Sequence, residues 1–331
     1  MKKSKFKLFA ALLLAAAMTV LSLSGAAPVL ADETAAILAN AAKSPAVHTA
    51  PEGYDQNDFN KVRTFLEQTD SNGIRNGEKL NPDGYDPDDP ESWGALFVDE
   101  WGFEHEAYFD WEEVDGINRM FAINLTYIRD FAGPFDMSGL DALSTLDVDG
   151  GNFTTADLSN CYEMTHCYFA NSTLSSVNLF NCANVTELYL QDNELTEVLN
   201  LGDCTSLLFL DILMNSDLEE IDLSGCERII YLLDFSQTKV SDINETEMFA
   251  LCEFSCESSG ITELDLRNCN YLNYVNCNFC DMDFLYLPEL PNNLAVNCME
   301  TGLTELNYEN CGGIYDLSIS GNPGLTGKLN L

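Results

Sequence analysis

Hydrophobic positions recur with a fixed period over roughly the last two-thirds of the chain. From residue 140 onward, the pattern Asp-Leu-x-x-Cys or a close variant returns every 21 or 22 residues. Its last positions lie at Leu140, Cys161, Cys182, Cys204, Cys226, Met248, Cys269, Leu290 and Cys311. A period of this length is typical of a solenoid, in which one coil buries its apolar side only by stacking on the next.

Polarity also alternates within each period. After Cys182, the apolar residues Leu188 and Leu190 alternate with Glu187 and Tyr189. Alternation with a period of two predicts a strand with its leucines on one face. A second short extended segment, seen at residues 262–266, predicts a strand-rich solenoid with a parallel sheet on one face and short extended or irregular segments on the other.

One polar position interrupts the apolar pattern in most coils. It is filled by Asn193 and, in the same phase, by Ser172, Asn215, Thr238, Ser259, Thr301 and Asn322. We predict that these side chains turn inward and bond to the backbone of neighbouring coils, because buried polar groups need hydrogen-bond partners.

The combined frame, L-x-x-L-x-L-x-x-N/C-x-L over residues 116–331, resembles the leucine-rich repeat. The coil length is similar to that of bacterial internalin-type proteins. The L-D-L-S-x-C motif resembles exported proteins of Gram-positive gut anaerobes. This resemblance implies about nine coils and a secreted or surface binding scaffold without catalysis. The sequence differs from internalins in three features: its motif ends in Cys, its N-terminal segment is acidic, and it lacks a sorting signal. The resemblance therefore does not imply that this protein binds a host receptor.

The cysteines follow the same phase as the leucines. Of the 12 Cys, all except Cys252 occupy inward positions, which predicts small buried hydrophobic side chains. Two alternatives remain: Cys277 and Cys280 as a redox or zinc pair, and disulfides between coils such as Cys256 to Cys277.

The chain before residue 116 does not follow the repeat. Residues 1–31 have the basic start, apolar run and small-residue site of a signal peptide, and residues 32–54 read as a loose leader. Residues 55–115 are predicted to form a small α+β N-terminal cap. Its helix would begin at Asp55, bury Phe59, Val62, Phe65 and Leu66, and end near the Asp-Ser-Asn-Gly turn at residues 70–73.

An acidic segment with all three tryptophans follows this helix. In one interpretation, the segment around Trp111 forms a hairpin that covers the open end of the solenoid. In the other, the tryptophans form a sugar platform, or Asp83, Asp86, Asp88 and Asp89 hold calcium, although their spacing does not match an EF-hand loop. We expect capping and no cofactor.

Charge and motifs exclude several functions. The chain has 54 acidic and 15 basic residues, a net charge of −39, which argues against binding nucleic acid or anionic lipid. After the signal peptide no apolar run is long enough for a membrane helix, so we expect no membrane insertion. No catalytic motif is present and the three His lie far apart in sequence, so the protein is not expected to be an enzyme.

The last coil runs to Leu331, just before the next motif-ending position would fall. Without a C-terminal cap, this coil would expose an apolar cross-section. That predicts a missing C-terminal part or end-to-end association through the uncapped coil.

The outward strand positions form the candidate binding surface. Aromatic and acidic residues recur there in columns: His166, Tyr168, Glu187, Tyr189, Phe209, Asp211, Asp234 and Tyr274. Such a mixed patch on a rigid face favours an exported protein-binding scaffold at the bacterial cell surface. The alternatives are a solvated sheet with scattered aromatics, and a targeting or spacer region of a larger cell-wall protein or enzyme.

Overall fold

A computed structural model describes residues 48–98, 102–126, 130–226, 229, 231–243, 250–289, 293–307 and 313–325. The chain divides into two compact units, residues 1–48 and 49–331. The predicted signal peptide and most of the predicted leader lie outside the described residues and stay predictions. The elements below belong to the second unit.

Two short helices, one 3₁₀ turn and a succession of strands make up the described chain. The helices are α1 (Gln56–Leu66) and α2 (Asn76–Leu80), and the 3₁₀ turn is Pro90–Ser92. The strands are β1 (Ala95–Val98), β2 (Glu104–Val114), β3 (Ile117–Leu125), β4 (Phe135–Asp136), β5 (Thr145–Asp149), β6 (Thr155–Asp157), β7 (His166–Ala170), β8 (Ser176–Asn178), β9 (Glu187–Tyr189), β10 (Thr196–Asn200), β11 (Phe209–Asp211), β12 (Asp217–Asp222), β13 (Leu232–Asp234), β14 (Glu253–Ser255), β15 (Glu263–Asp265), β16 (Tyr274–Asn276), β17 (Phe284–Tyr286), β18 (Leu294–Asn297), β19 (Glu305–Asn307) and β20 (Ile314–Ser318).

The long sheet has 12 strands in the order β1-β2-β3-β5-β7-β9-β11-β13-β14-β16-β18-β20. From β3 onward its strands pair in parallel, one strand per coil. Shorter parallel sheets, β4-β6-β8, β10-β12 and β15-β17-β19, contain the second extended segment of the coils. The strand-rich solenoid predicted from the repeat is therefore confirmed.

The repeated Asp-Leu-x-x-Cys motif forms the turn that follows this second strand. Its first residue accepts the backbone N–H two positions on, as Asp157 does from Ser159 (3.1 Å) and Asp222 from Ser224 (2.9 Å). Asp and Asn suit such turns because their short side chains reach their own backbone. This explains why the motif begins with either residue.

The cysteine at the end of the motif is a buried thiol. Cys182 Sγ lies 3.2 Å from the carbonyl oxygen of Leu158 in the preceding coil, and Cys226 Sγ lies 3.2 Å from that of Leu201. Burial raises the pKa of the Cys182 thiol to about 11 and that of Cys226 to about 12. The described cysteines are free, and all but Cys252 are buried. These positions are those expected of small hydrophobic side chains.

Inward polar side chains connect successive coils. Asn215 is fully buried: its Nδ2 donates to the carbonyls of Leu190 and Ile212 (both 2.9 Å), and its Oδ1 accepts from Leu195 N (3.1 Å). Asn193 and Asn322 make the same three kinds of bond. The predicted structural role of this position is confirmed.

The residue just before this polar position has a left-handed backbone in coil after coil. Met214, Gln237 and Ser258 have φ of 62°, 58° and 57°. Residues with a Cβ rarely adopt this region, so the turn is imposed by the surrounding hydrogen bonds and not by residue type. These positions share no single residue type, so the sequence did not indicate the left-handed turn.

The N-terminal region packs a helix against the first strands of the long sheet. Asp55 caps α1 by accepting from Asn57 N (2.8 Å) and Asp58 N (3.1 Å), and the predicted apolar face is buried. The helix ends at Leu66, a few residues before the turn at residues 70–73 where we expected it to stop. Buried Asp58 pairs with Arg119 of β3 at 2.9 Å, which ties α1 to the sheet.

The predicted hairpin around Trp111 is present as β2 and β3. These strands pair antiparallel, with Val114 opposite Ile117 and left-handed Asp115 and Gly116 at the turn. Left-handed angles at both central residues match a turn whose twist fits a hairpin. The hairpin leads directly into the parallel strands of the solenoid through β3 and β5.

The tryptophans and acids of the same segment have structural contacts. Trp93 is fully buried beside Phe59 (ring centroids 5.3 Å apart), which leaves no face for a sugar; Trp101 lies outside the described residues. Asp86 accepts from Asp88 N, Asp89 accepts from Glu91 N, and Asp88 pairs with Arg63. Calcium binding at Asp83, Asp86, Asp88 and Asp89 is untested and stays an alternative expectation.

Candidate functional site: the outward face of the long sheet

In-register parallel pairing aligns outward residues from coil to coil. The first outward column contains His166, Glu187, Phe209, Leu232, Glu253 and Tyr274. The second contains Asp147, Tyr168, Tyr189, Asp211, Asp234, Ser255 and Asn276. Every candidate residue predicted from the sequence lies in one of these columns, and each is partly exposed.

The structure groups seven of the eight candidates on consecutive strands. His166, Tyr168, Glu187, Tyr189, Phe209, Asp211 and Asp234 lie on β7, β9, β11 and β13. Tyr274 lies on β16, beyond β14, so it is not a neighbour of this group. We call the surface formed by the seven residues together with Asp147, Tyr231 and Leu232 the sheet-face patch.

At one end of the patch, His166 lies between two carboxylates from adjacent strands. Its Nε2 is 3.1 Å from Asp147 Oδ1 on β5, and its Nδ1 is 3.2 Å from Glu187 Oε2 on β9. Tyr189 completes the group, with its ring centroid 5.8 Å from that of His166 and 6.1 Å from that of Tyr168. The hydrogen bond to Asp147, followed by the charges of both carboxylates, raises the pKa of His166 above its ordinary 6.5.

This arrangement predicts a pH-dependent contribution to stability. Because the folded-state pKa of His166 is raised, its stabilising effect is complete below about pH 6.5 and is lost as pH rises through the higher folded-state pKa. We expect His166→Gln to lower the free energy of unfolding more at pH 6 than at pH 8.5. Urea unfolding at the two pH values measures this difference.

Asp147→Asn is the companion variant for this prediction. It removes the leading cause of the raised pKa, so the His166 ring signals in an NMR titration should move to a lower midpoint. An equal loss of stability at both pH values in His166→Gln, or an unmoved titration midpoint in Asp147→Asn, would contradict the electrostatic account.

At the other end of the patch, two carboxylates stand side by side. Asp211 of β11 and Asp234 of β13 are direct partners in the strand register, about 5 Å apart at Cα. One oxygen of each accepts a backbone N–H, from Leu213 (3.1 Å) and Ser236 (2.8 Å) respectively. Burial is the main cause that raises the pKa of both carboxyls, and an acidic neighbour raises each further: Asp234 for Asp211, and Glu257 for Asp234.

An aromatic pair flanks these carboxylates. Phe209 stacks on Tyr231 of the next coil, with ring centroids 4.8 Å apart and planes inclined by 14°. Tyr231 precedes β13 and is about half exposed, so it lies outside the period-two pattern that identified the other residues. Sequence reasoning missed it for that reason.

The next coils along the sheet differ from the patch. Ser236 and Ser255 are buried and share a hydrogen bond (2.8 Å), although the pattern placed both on the exposed face. Asn276 donates to Glu257 (2.8 Å) across neighbouring strands. Small polar side chains are satisfied there within the protein, whereas the outward strand positions of β7, β9 and β11 carry the partly exposed rings of Tyr168, Tyr189 and Phe209.

No helix among the described residues has the length and apolar character needed to cross a membrane. Within the same ranges, no cluster of three or more His, Cys, Asp or Glu side chains is arranged to hold a metal ion. Neither observation tests the predictions about cofactors or location.

Comparison with known proteins gives structural matches only. No protein-family model matches the chain, and no curated protein sequence matches it. A solved structure of the functional domain of InlJ from Listeria monocytogenes, described as including a cysteine ladder, is 18% identical with a TM-score of 0.41; the match covers 63% of this chain and 55% of that one. The internalin InlF from the same species is 14% identical with a TM-score of 0.38, over 84% of this chain and 74% of that one.

The chain thus spans about half the length of the InlJ structure. The strand pairing itself carries the fold assignment. The chain is a strand-rich, parallel β-solenoid built from leucine-rich repeats.

Proposed function

We propose that the protein is an exported, non-catalytic binding module that recognises a protein partner through the sheet-face patch. The observation that carries this proposal is the grouping of partly exposed rings and carboxylates at the outward positions of four consecutive strands. Interfaces are enriched in aromatic residues, and Tyr supplies a large contact area with few rotatable bonds. Parallel backbone pairing holds the strands in fixed register, so the patch is organised before a partner arrives.

The internal contacts of the patch support the same function. Tyr189 contacts both His166 and Tyr168, and Phe209 contacts Tyr231, so these side chains have already lost part of their freedom. A partner then orders fewer side chains on binding, which lowers the entropic cost of association. A solvated sheet with scattered aromatics has no need of such contacts.

A selection experiment tests this proposal. The folded protein is used to select peptides from a random phage-displayed library, and each selected peptide is measured against Tyr189→Ala/Asp211→Asn. We expect the peptides to bind this double variant at least tenfold more weakly, because it removes a central ring and a charge of the patch. Asn retains the oxygen that accepts Leu213 N, so the strand end should keep its structure.

Tyr271→Ala/Glu263→Gln is the matched control, since it removes a similar ring and charge at exposed positions outside the patch. Selected peptides should bind this control within about twofold of the unmodified protein. If no selected peptide depends on Tyr189 and Asp211, the proposed binding surface is wrong.

A further inference from the structure

Resting on the proposed function, we infer that the partner segment bound by the sheet-face patch is basic. It places a Lys or Arg side chain against Asp211 and Asp234 and an apolar or aromatic side chain against Phe209 and Tyr231. The inference specifies the chemistry of the partner, which the fold alone leaves open.

The first step is the state of the two carboxylates. Asp211 and Asp234 are partly buried, face the same side of adjacent strands, and each use one oxygen for a backbone N–H. In the part of the chain that the structure describes, neither forms an ion pair with Lys, Arg or His. Like charges on neighbouring strands repel, and a cation placed between them removes that cost.

The second step is that the Lys and Arg side chains that the structure describes form their ion pairs away from the patch. Each Lys and Arg in the described ranges already pairs with an acid outside the patch. These pairs are Lys61–Asp136, Arg63–Asp88, Arg75–Glu67 and Arg75–Glu78, Lys79–Asp70, Arg119–Asp58 and Arg119–Asp141, Lys239–Asp217 and Arg267–Asp265. Within the described ranges no Lys or Arg is left to pair with Asp211 and Asp234, so the counter-charge is assigned to another molecule.

The third step is a comparison within the same surface. Two coils earlier, the acids Asp147 and Glu187 flank His166, a basic group supplied by the protein itself. On the strands of Asp211 and Asp234, the outward column that contains His166 has Phe209 and Leu232 in place of a basic residue. The first acidic pair has a basic partner from the protein itself, whereas the second is partly exposed and lies beside apolar side chains.

The fourth step concerns the aromatic pair of Phe209 and Tyr231, which flanks the two carboxylates. Phe209 is two residues from Asp211 on the same strand face, and it stacks on Tyr231. Guanidinium groups pack on aromatic rings, and this protein already shows that contact, with Arg75 over Tyr85 (5.3 Å) and Arg267 over Tyr286 (5.0 Å). Rings beside carboxylates favour a Lys or Arg side chain over a hard metal ion, which requires six or more oxygen ligands.

The experiment uses two synthetic peptides and the whole folded protein. One blocked octapeptide carries two arginines flanking a phenylalanine in a Gly-Ser background; the other replaces each arginine with citrulline, which keeps the shape and removes the charge. Binding is measured by calorimetry at 20 and 150 mM salt with EDTA present. We expect the arginine peptide to bind at least tenfold more tightly than the citrulline peptide, with a preference that decreases as salt increases.

Asp211→Asn/Asp234→Asn should reduce that preference to less than twofold. Both amides retain the oxygen that accepts the backbone N–H, and circular dichroism checks the fold. Glu219→Gln/Glu220→Gln changes the net charge equally at exposed positions of β12 and should retain the full preference. Equal loss in the two double variants would assign the effect to general attraction by an acidic protein, and would overturn the inference.

Other outcomes are equally decisive. No detectable binding of the arginine peptide at millimolar concentration overturns the inference. A gain in thermal stability on adding calcium, measured without EDTA and lost in Asp211→Asn/Asp234→Asn, also overturns the inference. The two carboxylates would then be metal ligands. Library peptides that need Tyr189 and Asp211 but carry no basic residue would overturn the inference and leave the proposed function standing.

Discussion

Replacing Asn215 with Leu is expected to destabilise the protein by about 3–5 kcal/mol, although Leu is similar in size and more apolar. The side chain of Asn215 is fully buried and satisfies three backbone groups, the carbonyls of Leu190 and Ile212 and the N–H of Leu195. Leu leaves all three without partners in a site that excludes water, and each unsatisfied group costs about 1–3 kcal/mol. Relaxation of the turn recovers part of that cost.

Urea unfolding measures the loss, and hydrogen exchange locates it. The amide of Leu195, which bonds to Asn215 Oδ1, should exchange faster in the variant than in the unmodified protein. Asn270→Ala is the control, because Asn270 is exposed and its side chain bonds only locally, to the carbonyl of Asn268. We expect a change below about 0.5 kcal/mol for this control. A similar small change for Asn215→Leu would show that the buried amide does not hold the coils together.

Phe153→Ala is the second substitution expected to have a large effect, about 3–5 kcal/mol. Phe153 is fully buried, and its ring lies 5.3 Å from Phe135, 5.5 Å from Phe169 and 5.8 Å from Phe131 between centroids. It also lies 6.0 Å from Phe65 of α1. The substitution opens a cavity where the helix of the N-terminal region meets the first coils, and rings fixed by several neighbours do not collapse into it easily.

Phe180→Ala removes the same side chain at a position that is 57% exposed, and should cost less than about 1 kcal/mol. Thermal and urea unfolding of the two variants give the comparison. Equal losses would mean that the aromatic cluster does not link α1 to the solenoid. A separate early transition in Phe153→Ala alone would indicate that the N-terminal region detaches before the later coils unfold.

Sequence reasoning was most successful where residue type acts locally. Asp55 caps α1 and Asp157 closes its turn because short carboxylate side chains reach backbone groups close by in the sequence. Preferences of this kind can be predicted from the sequence alone. Sequence reasoning was less successful at the end of α1. The helix stops at Leu66, where Glu67 N–H bonds back to the carbonyl of Arg63 and Gln68 N–H bonds to that of Phe65. This end lies ahead of the Asp-Ser-Asn-Gly turn that the prediction used as its boundary.

For the candidate surface, the sequence predicted which residues share an outward column but not which side chains are in contact. Period-two alternation and the 21 to 22 residue repeat place Tyr189, Asp211 and Asp234 on one face, and in-register pairing preserves that order. Tyr231 joins the patch from outside the strand, and Ser255 is buried against Ser236 despite its outward position. Neither result follows from periodicity, because each depends on the size of a neighbour one coil away.

The sequence by itself therefore determined the coil length, the inward leucines and cysteines, the buried polar position and the faces of the strands. All of these follow from a short period in which local geometry repeats. Only the tertiary structure decided the left-handed turn before each polar position, the contacts of His166 with Asp147 and Glu187, and the stacking of Phe209 on Tyr231. These features depend on backbone angles and distances between coils, which are set by hydrogen bonds and packing across the stack and are not encoded by residue type at one position.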